Sequence, residues 1–308
     1  MSTSNSKHFA SRPVVAALML GALVGVPGRA LRAAEAPSLE SRLLPLIEHH
    51  RGRVAVAVKH LERDEGFAYR EHEVMPTASL IKFPVLIELY GQSAAGNADL
   101  TKQLTLTERD KAPGSGILTP HFSPGVTFTL RDAARLMIAF SDNTATNLVL
   151  DQIGIAATGE TMARLGCPNT RIHHKVFLRE TTSIAPERSQ QYGLGSTTAA
   201  EMLTLVDLLH RKKLVSEEAS DAMLGHLKAC EDRDKLTRFL PEGTVAAFKT
   251  GSLDEVRTMA GILYTPGGPV ALCVLTADNE DHRWLPDNAG NRLCAEIGRE
   301  VFEQYTAK

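Results

Sequence analysis

Thr258-Met259-Ala260-Gly261-Ile262-Leu263-Tyr264 and Val270-Ala271-Leu272-Cys273-Val274-Leu275-Thr276 are two apolar runs on either side of Pro266-Gly267-Gly268-Pro269. Short apolar runs bounded by a Pro/Gly cluster read as two strands joined by a turn. A third run, Val245 to Phe248, lies just upstream. Far to the N-terminal side, Val54-Ala55-Val56-Ala57-Val58 is a short β-branched run, and Phe67-Ala68-Tyr69 after Glu65-Gly66 suits its hairpin partner. The middle, from about Ser79 to Gly225, reads as mostly helical. Ser79 to Tyr90 carries an apolar face. Thr129 caps a run with Leu130, Ala133, Ala134 and Met137, and Thr197 to Leu209 repeats the pattern. The last element places Leu293, Ile297, Val301 and Tyr305 at steps of four, an amphipathic terminal helix. Strands at both ends around a helical middle predict a discontinuous α/β domain, residues 37–75 and 226–308, interrupted by a mostly α-helical domain over residues 76–225.

Composition narrows the function classes. Of 308 residues 43% are apolar and 23% charged, which argues against disorder. The formal net charge of −2 gives no broad attraction for nucleic acid. No strand–GxGxxG–helix unit and no GxxxxGK[ST] loop supports a nucleotide fold. Residues 1–36 read as an export signal: Lys7 and Arg12, an uncharged apolar run from Val14 to Val26, then small residues at Ala33-Ala34 and Ala34-Glu35-Ala36. That run is too short to span a bilayer, and no other segment in the sequence has the length and continuity of a span. Removing it takes away four basic residues and Glu35, so the expected mature chain carries a net charge of −5. It is expected as an exported, periplasmic or secreted monomer without a membrane span. Cys167, Cys230, Cys273 and Cys294 form no CxxC pair, and a disulfide among them stays open. His49-His50 and His173-His174 are adjacent rather than at ligand spacing, so no metal is expected.

Three short motifs carry the chemistry. Ser79-Leu80-Ile81-Lys82 begins the helical run, and residues three apart share a helix face, so the Lys82 ammonium can approach the Ser79 hydroxyl. A serine needs a neighbour to accept its proton, and a lysine can do so when burial or nearby charge lowers its pKa. The motif by itself is weak: roughly one is expected by chance in a chain of this size, and Ser4-Asn5-Ser6-Lys7 is such a decoy. Ser141-Asp142-Asn143 follows the helix that ends near Phe140 and offers a second hydroxyl and an amide, or simply a helix terminus and new cap. Lys249-Thr250-Gly251-Ser252 ends the Val245 to Phe248 run, where a cation, hydroxyls and a glycine suit an extended ligand carrying a carboxylate. Each has a bland reading in isolation. In this order, each on the expected kind of element, they are far less common by chance.

The set resembles the active-site serine β-lactamases of class A and the related penicillin-binding proteins. The resemblance runs from about Leu39 to Tyr305. It implies an α/β (α+β) sandwich: a five-stranded antiparallel sheet packed by the terminal helices, with an all-α domain alongside and the site in the cleft between them. It implies Ser79 as the acylated nucleophile, Lys82 as its proton acceptor and Ser141 as a proton relay. Asn143 would contact the substrate amide. Lys249, Thr250 and Gly251 would line a carboxylate-binding strand, and the Ser79 and Ser252 backbone N–H groups would form an oxyanion hole. Arg257 resembles an arginine that supports carboxylate binding, or is an exposed strand cation. No cofactor is implied. The substrate would be a small β-lactam or a D-alanyl peptide.

One element of the family pattern is not matched. Class A enzymes carry Arg-x-Glu-x-x-x-Asn, whose glutamate activates the deacylating water, ahead of a Thr-Thr-rich helix start. Here that start is Gly195-Ser196-Thr197-Thr198-Ala199, and the preceding loop holds Arg179-Glu180 and Pro186-Glu187, with Gln191 in place of the asparagine. Either Glu187 works in a shortened loop or the base is absent; both glutamates also fit ordinary solvated charges. The expected activity is therefore β-lactam hydrolysis through Ser79, with a D-alanyl peptidase or a once-acylated sensor as alternatives.

Overall fold

The two runs around the Pro-Gly-Gly-Pro turn extend to strands Val256–Thr265 and Gly268–Ala277, paired antiparallel from Gly268↔Thr265 to Thr276↔Arg257. They are the centre of a five-stranded sheet seen in a computed structural model that describes residues 37–306. Its order is Gly66–Tyr69, Arg53–His60, Gly268–Ala277, Val256–Thr265 and Ala246–Leu253, every neighbouring pair antiparallel. The export signal expected over residues 1–36 lies outside the described residues. Among the described residues no helix is long and apolar enough to cross a membrane.

The sheet is buried on both faces, which explains why its strands read as continuous apolar runs rather than alternating ones. Side chains alternate between two cores. Val54, Val56, Val58, Met259, Leu263, Val270, Leu272 and Val274 pack with Leu39, Leu43 and Ile47 of helix Leu39–His49 and with Leu293, Ile297 and Val301 of helix Ala289–Gln304. Ala55, Ala57, Ala260, Ile262, Ala271, Cys273 and Leu275 face the helical layer. Removing a Leu, Ile or Val side chain from water stabilises the fold by about 1.5–3 kcal/mol. The small side chains at 55, 57, 260 and 271 let the helices approach closely on the face that carries the chemistry.

The helical layer is built around Lys82–Ala94, buried on every side from Lys82 to Tyr90. The apolar face expected there is therefore an all-round apolar surface, because neighbouring helices enclose it. Beside it lie Leu130–Ala139, opened by a Thr129–Asp132 capping box, and Asn143–Ile153, capped by Asp142. Two boundaries differ from the sequence reading. The Thr197–Leu209 pattern resolves into a strand Gly195–Thr197, the cap Thr198 and helix Ala199–His210. The strand beginning near Val245 does not stop before Lys249: it runs Ala246–Leu253, because Lys249, Thr250, Gly251 and Ser252 pair with Ala260, Met259, Thr258 and Arg257. Cys167, Cys230, Cys273 and Cys294 are all free and buried.

Candidate active site

Ser79 sits on a 3-10 turn, Ala78–Ile81, that leads into helix Lys82–Ala94. Three residues per turn places residue 82 above residue 79. Ala78, Leu80, Ile81 and Lys82 are buried, while Ser79 is half-buried and lines the cleft. The residue before it, Ala78, has φ 46°, a left-handed conformation costly for a side-chain-bearing residue and often held at functional sites. The turn is held against the sheet: the Thr77 carbonyl accepts from Leu80 N at 3.1 Å and from Thr258 Oγ1 at 2.8 Å. Gly251 makes this approach feasible. A Cβ there would stand 2.5 Å from Thr77 O and 2.8 Å from Leu80 N.

Lys82 is fully buried, and its Nζ donates to the Ser141 carbonyl at 2.6 Å and to Asn143 Oδ1 at 2.8 Å, with Ser141 Oγ at 3.2 Å. Burial first, and then the positive charge of Lys249, hold its pKa well below the ordinary lysine value, against the opposing pull of Asp142. Lys249 Nζ donates to the same Ser141 Oγ at 3.1 Å and to Thr250 O at 2.7 Å. Burial lowers Lys249 to about 8. Burial thus disfavours the charged form of both amines, which share the Ser141 hydroxyl. Structure thus brings Lys82, Ser141, Asn143 and Lys249 into one hydrogen-bonded cluster beside Ser79.

Asp142, between the two predicted site residues Ser141 and Asn143, is their anchor. Its carboxylate accepts from Ala145 N at 2.9 Å, capping the helix, and from Ile117 N and Leu118 N at 2.7 and 2.9 Å. Ser141 itself has φ 52°, so the cap turns its hydroxyl back over Lys82. Asn143 Nδ2 donates to Pro113 O at 2.8 Å. The amide is thereby fixed in orientation, with its oxygen toward Lys82.

The strand end carries two groups that the motifs did not reveal. Asp232 lines the cleft with Ser79, Ser141, Lys249, Thr250 and Ser252. Its Oδ2 accepts from Thr250 Oγ1 at 2.8 Å and from Lys235 Nζ at 2.8 Å. The Lys235 side chain is 3% exposed and that of Asp232 20%. Arg257 is not an exposed strand cation, being 1% exposed, and it does not join this cluster. Its guanidinium donates to the backbone carbonyls of Leu253, Val256 and Arg283 and lies 5.1 Å from the Trp284 ring centre. Trp284, the chain's one tryptophan, lines the cleft and donates from Nε1 to Asp254 at 2.7 Å. Arg257 thus ties the rim together through Nη1 and Nη2, which donate to these carbonyls.

On the other side of Ser79 the cleft opens to about 1010 Å3, lined by His174, Val176, Phe177, Leu194, Leu253 and Trp284 among others. This is room for a small-molecule ligand with an apolar substituent. Val176 is held through both backbone groups by Asn147, four residues beyond Asn143 on the same helix. Neither Glu180 nor Glu187 is among the lining residues. Glu180 is exposed and paired with Arg179, and Glu187 is exposed in the first turn of helix Pro186–Tyr192. Among the described residues no cluster of His, Cys, Asp and Glu suits a metal ion.

The family described as "Beta-lactamase enzyme family" matches residues 38–305. A beta-lactamase from Streptomyces cellulosae is 29% identical over 255 residues, spanning 79% of this chain and 78% of the relative. Among solved structures, a beta-lactamase from Sphaerobacter thermophilus has a TM-score of 0.76 at 30% identity, over 86% of this chain and 97% of its own. A variant of PBP-A, solved as an acyl-enzyme complex with penicillin G, has a TM-score of 0.74 at 24% identity, over 87% of this chain and 96% of its own. That last likeness is one of fold.

Proposed function

The chain belongs to the beta-lactamase enzyme family, and from that premise we propose that Ser79 opens β-lactam rings through a covalent acyl-enzyme, in the class A manner. The observation that carries this reading is the environment of Lys82. Its Nζ sits against three oxygens, Ser141 O at 2.6 Å, Asn143 Oδ1 at 2.8 Å and Ser141 Oγ at 3.2 Å. Burial favours the neutral amine, which then takes the Ser79 proton directly or through Ser141 Oγ.

In the proposed sequence Ser79 Oγ attacks the lactam carbonyl as its proton passes to Lys82 Nζ. The developing oxyanion is met by the backbone N–H groups of Ser79 and Ser252, both on the cleft wall. Collapse breaks the C–N bond, and the ring nitrogen takes a proton through Ser141 Oγ, which lies within reach of both lysines. The second lysine, Lys249, keeps positive charge beside that relay. Water then cleaves the Ser79 ester to free the product. Export of the mature chain, read from residues 1–36, fits an activity on β-lactams or cell-wall peptides.

One observation favours a second reading for the last step. The wall beside Ser79 carries Val176, Phe177 and Leu194, with Glu180 and Glu187 elsewhere and Asp254 and Glu255 in the same lining. A site that acylates readily without either loop glutamate to activate water would hold its acyl-enzyme, as a penicillin-binding D-alanyl peptidase or a sensor does. Intact-protein mass spectrometry with benzylpenicillin separates the readings. A Ser79 adduct that forms and decays with turnover supports hydrolysis, and one that persists supports the second reading. Absence of both adduct and turnover, or full activity in Ser79→Ala, would falsify both.

A further inference from the structure

Away from the cleft, a second concavity of about 600 Å3 opens in the helical layer between helices Lys82–Ala94, Leu130–Ala139 and Glu217–Lys228. It shares no lining residue with the space around Ser79. Arg131 and Arg135 stand one turn apart on helix Leu130–Ala139, and both line it. Among the described residues neither guanidinium has an ion-pair or hydrogen-bond partner. Asp132 lies near both, but its Oδ2 already accepts from Thr129 N and Oγ1, at 3.0 and 2.6 Å. Glu218, exposed in the first turn of its helix, is the one acidic residue in the lining.

The same pocket holds neutral donors. Tyr90 and His226 are buried, and Tyr90 Oη meets His226 Nε2 at 2.8 Å. Burial first, then the charges of Arg135 and Arg131, lower His226 to about 4, so its ring is neutral near pH 7. A neutral imidazole and a phenol carry two acidic protons between them, and their contact uses one. Either the His226 Nδ1–H or the Tyr90 O–H is left over. Ser216 Oγ accepts from Ala219 N at 3.1 Å, which leaves its own proton to donate. Leu100, Ala219 and Ala222 add apolar surface for a short carbon skeleton.

We infer that this pocket binds a small, multiply charged oxyanion, a phosphate or dicarboxylate compound, held by Arg131 and Arg135 with the Tyr90–His226 pair as a neutral donor. A planar guanidinium grips phosphate or carboxylate through two parallel N–H bonds, and two of them a turn apart suit two charges. The volume is that of a small-molecule site. The site is separate from the cleft and stands or falls independently of the Ser79 reading.

Titration calorimetry of the full mature chain with inorganic pyrophosphate and with succinate tests it, in about 0.15 M sodium chloride to screen loose surface attraction. At least one compound should saturate a single site with a Kd below about 1 mM, and the tighter binder gives the ligand class. Arg131→Gln and Arg135→Gln change exposed side chains and should leave the fold intact. Each should weaken binding about tenfold, as loss of a hydrogen bond to a charged group does. Glu218→Gln removes the anion in the lining and should tighten it. Absence of saturation by both compounds up to about 10 mM overturns the inference. So does binding that survives both arginine substitutions made together, because the anion then sits elsewhere, or binding that weakens in Glu218→Gln.

Discussion

Lys82 and Lys249 converge on a single oxygen, Ser141 Oγ, at 3.2 and 3.1 Å. Both are buried, one from the start of the central helix and one from the edge strand. Two ammonium groups cannot both keep their protons so close in a site screened from water. Burial and the Lys249 charge both favour the neutral form of Lys82. In the proposed mechanism the pair divides into a base, Lys82, and a cation, Lys249, around one hydroxyl.

That division sets a pH dependence. Acylation should fall toward acid as Lys82 takes up a proton and ceases to be a base. It should fall again toward alkali as Lys249 loses its charge near its lowered value of about 8. Acylation rates measured across pH at fixed ionic strength should trace a bell, and Lys249→Gln should lower the plateau and remove the alkaline limb. A rate that climbs steadily through the region where Lys249 titrates would contradict this division.

Asp142→Ala should cost stability as well as activity. It deprives the backbone N–H groups of Ala145, Ile117 and Leu118 of their carboxylate acceptor and uncaps helix Asn143–Ile153. The loss should be about 2–4 kcal/mol, given about 1 for a cap and more for charged hydrogen bonds. Urea unfolding reads it directly, and acylation should drop with it because Ser141 and Asn143 flank the anchor. A midpoint within error of the wild type would remove Asp142 from this role.

Gly251→Ala tests the seam between sheet and nucleophile. The added methyl would meet backbone atoms, Thr77 O and Leu80 N, that cannot rotate away. Overpacking of this kind costs about 1–3 kcal/mol, and the Ser79 turn should be displaced. The expected result is a lower unfolding midpoint together with slower acylation by benzylpenicillin. An alanine accepted with unchanged kinetics would mean that the strand does not set the position of Ser79.

Val176→Glu addresses the last step. Its backbone is pinned by Asn147 on the helix that carries Asn143, and its side chain lines the wall beside Ser79. A carboxylate projecting from there should hasten loss of the acyl adduct by at least tenfold, at the low end for general-base assistance. Adduct lifetime by mass spectrometry checks it. An unchanged lifetime would show that a carboxylate on this wall is not what limits deacylation.

Much of this was legible from residue type and order. The turn at Pro266-Gly267, the two β-branched and apolar edges of the chain, the cap at Thr129 and the steps of four from Leu293 all rest on local chemistry, which sequence carries directly. The three motifs were legible for the same reason, since each lies within four consecutive residues. Glu180 and Glu187 were not, because a loop charge looks alike whether it points to solvent or into a cleft. Asp232 and Lys235 were hidden more thoroughly. In Cys230-Glu231-Asp232-Arg233-Asp234-Lys235 every charge suits an exposed loop.

Local sequence, then, determined the strands, the helices, their caps and the presence of a serine with a lysine three residues on. Tertiary structure alone decided which charges lose water. Leu236 packs against Gly298 of the terminal helix, and its chain neighbour Lys235 meets Asp232 beside Thr250. The four backbone carbonyls around Arg257 hold its guanidinium at the rim, apart from the cluster of Lys82, Ser141 and Lys249. Burial and the distance between charges set a pKa and the direction of a hydrogen bond, and both arise only when segments remote in the chain are brought together.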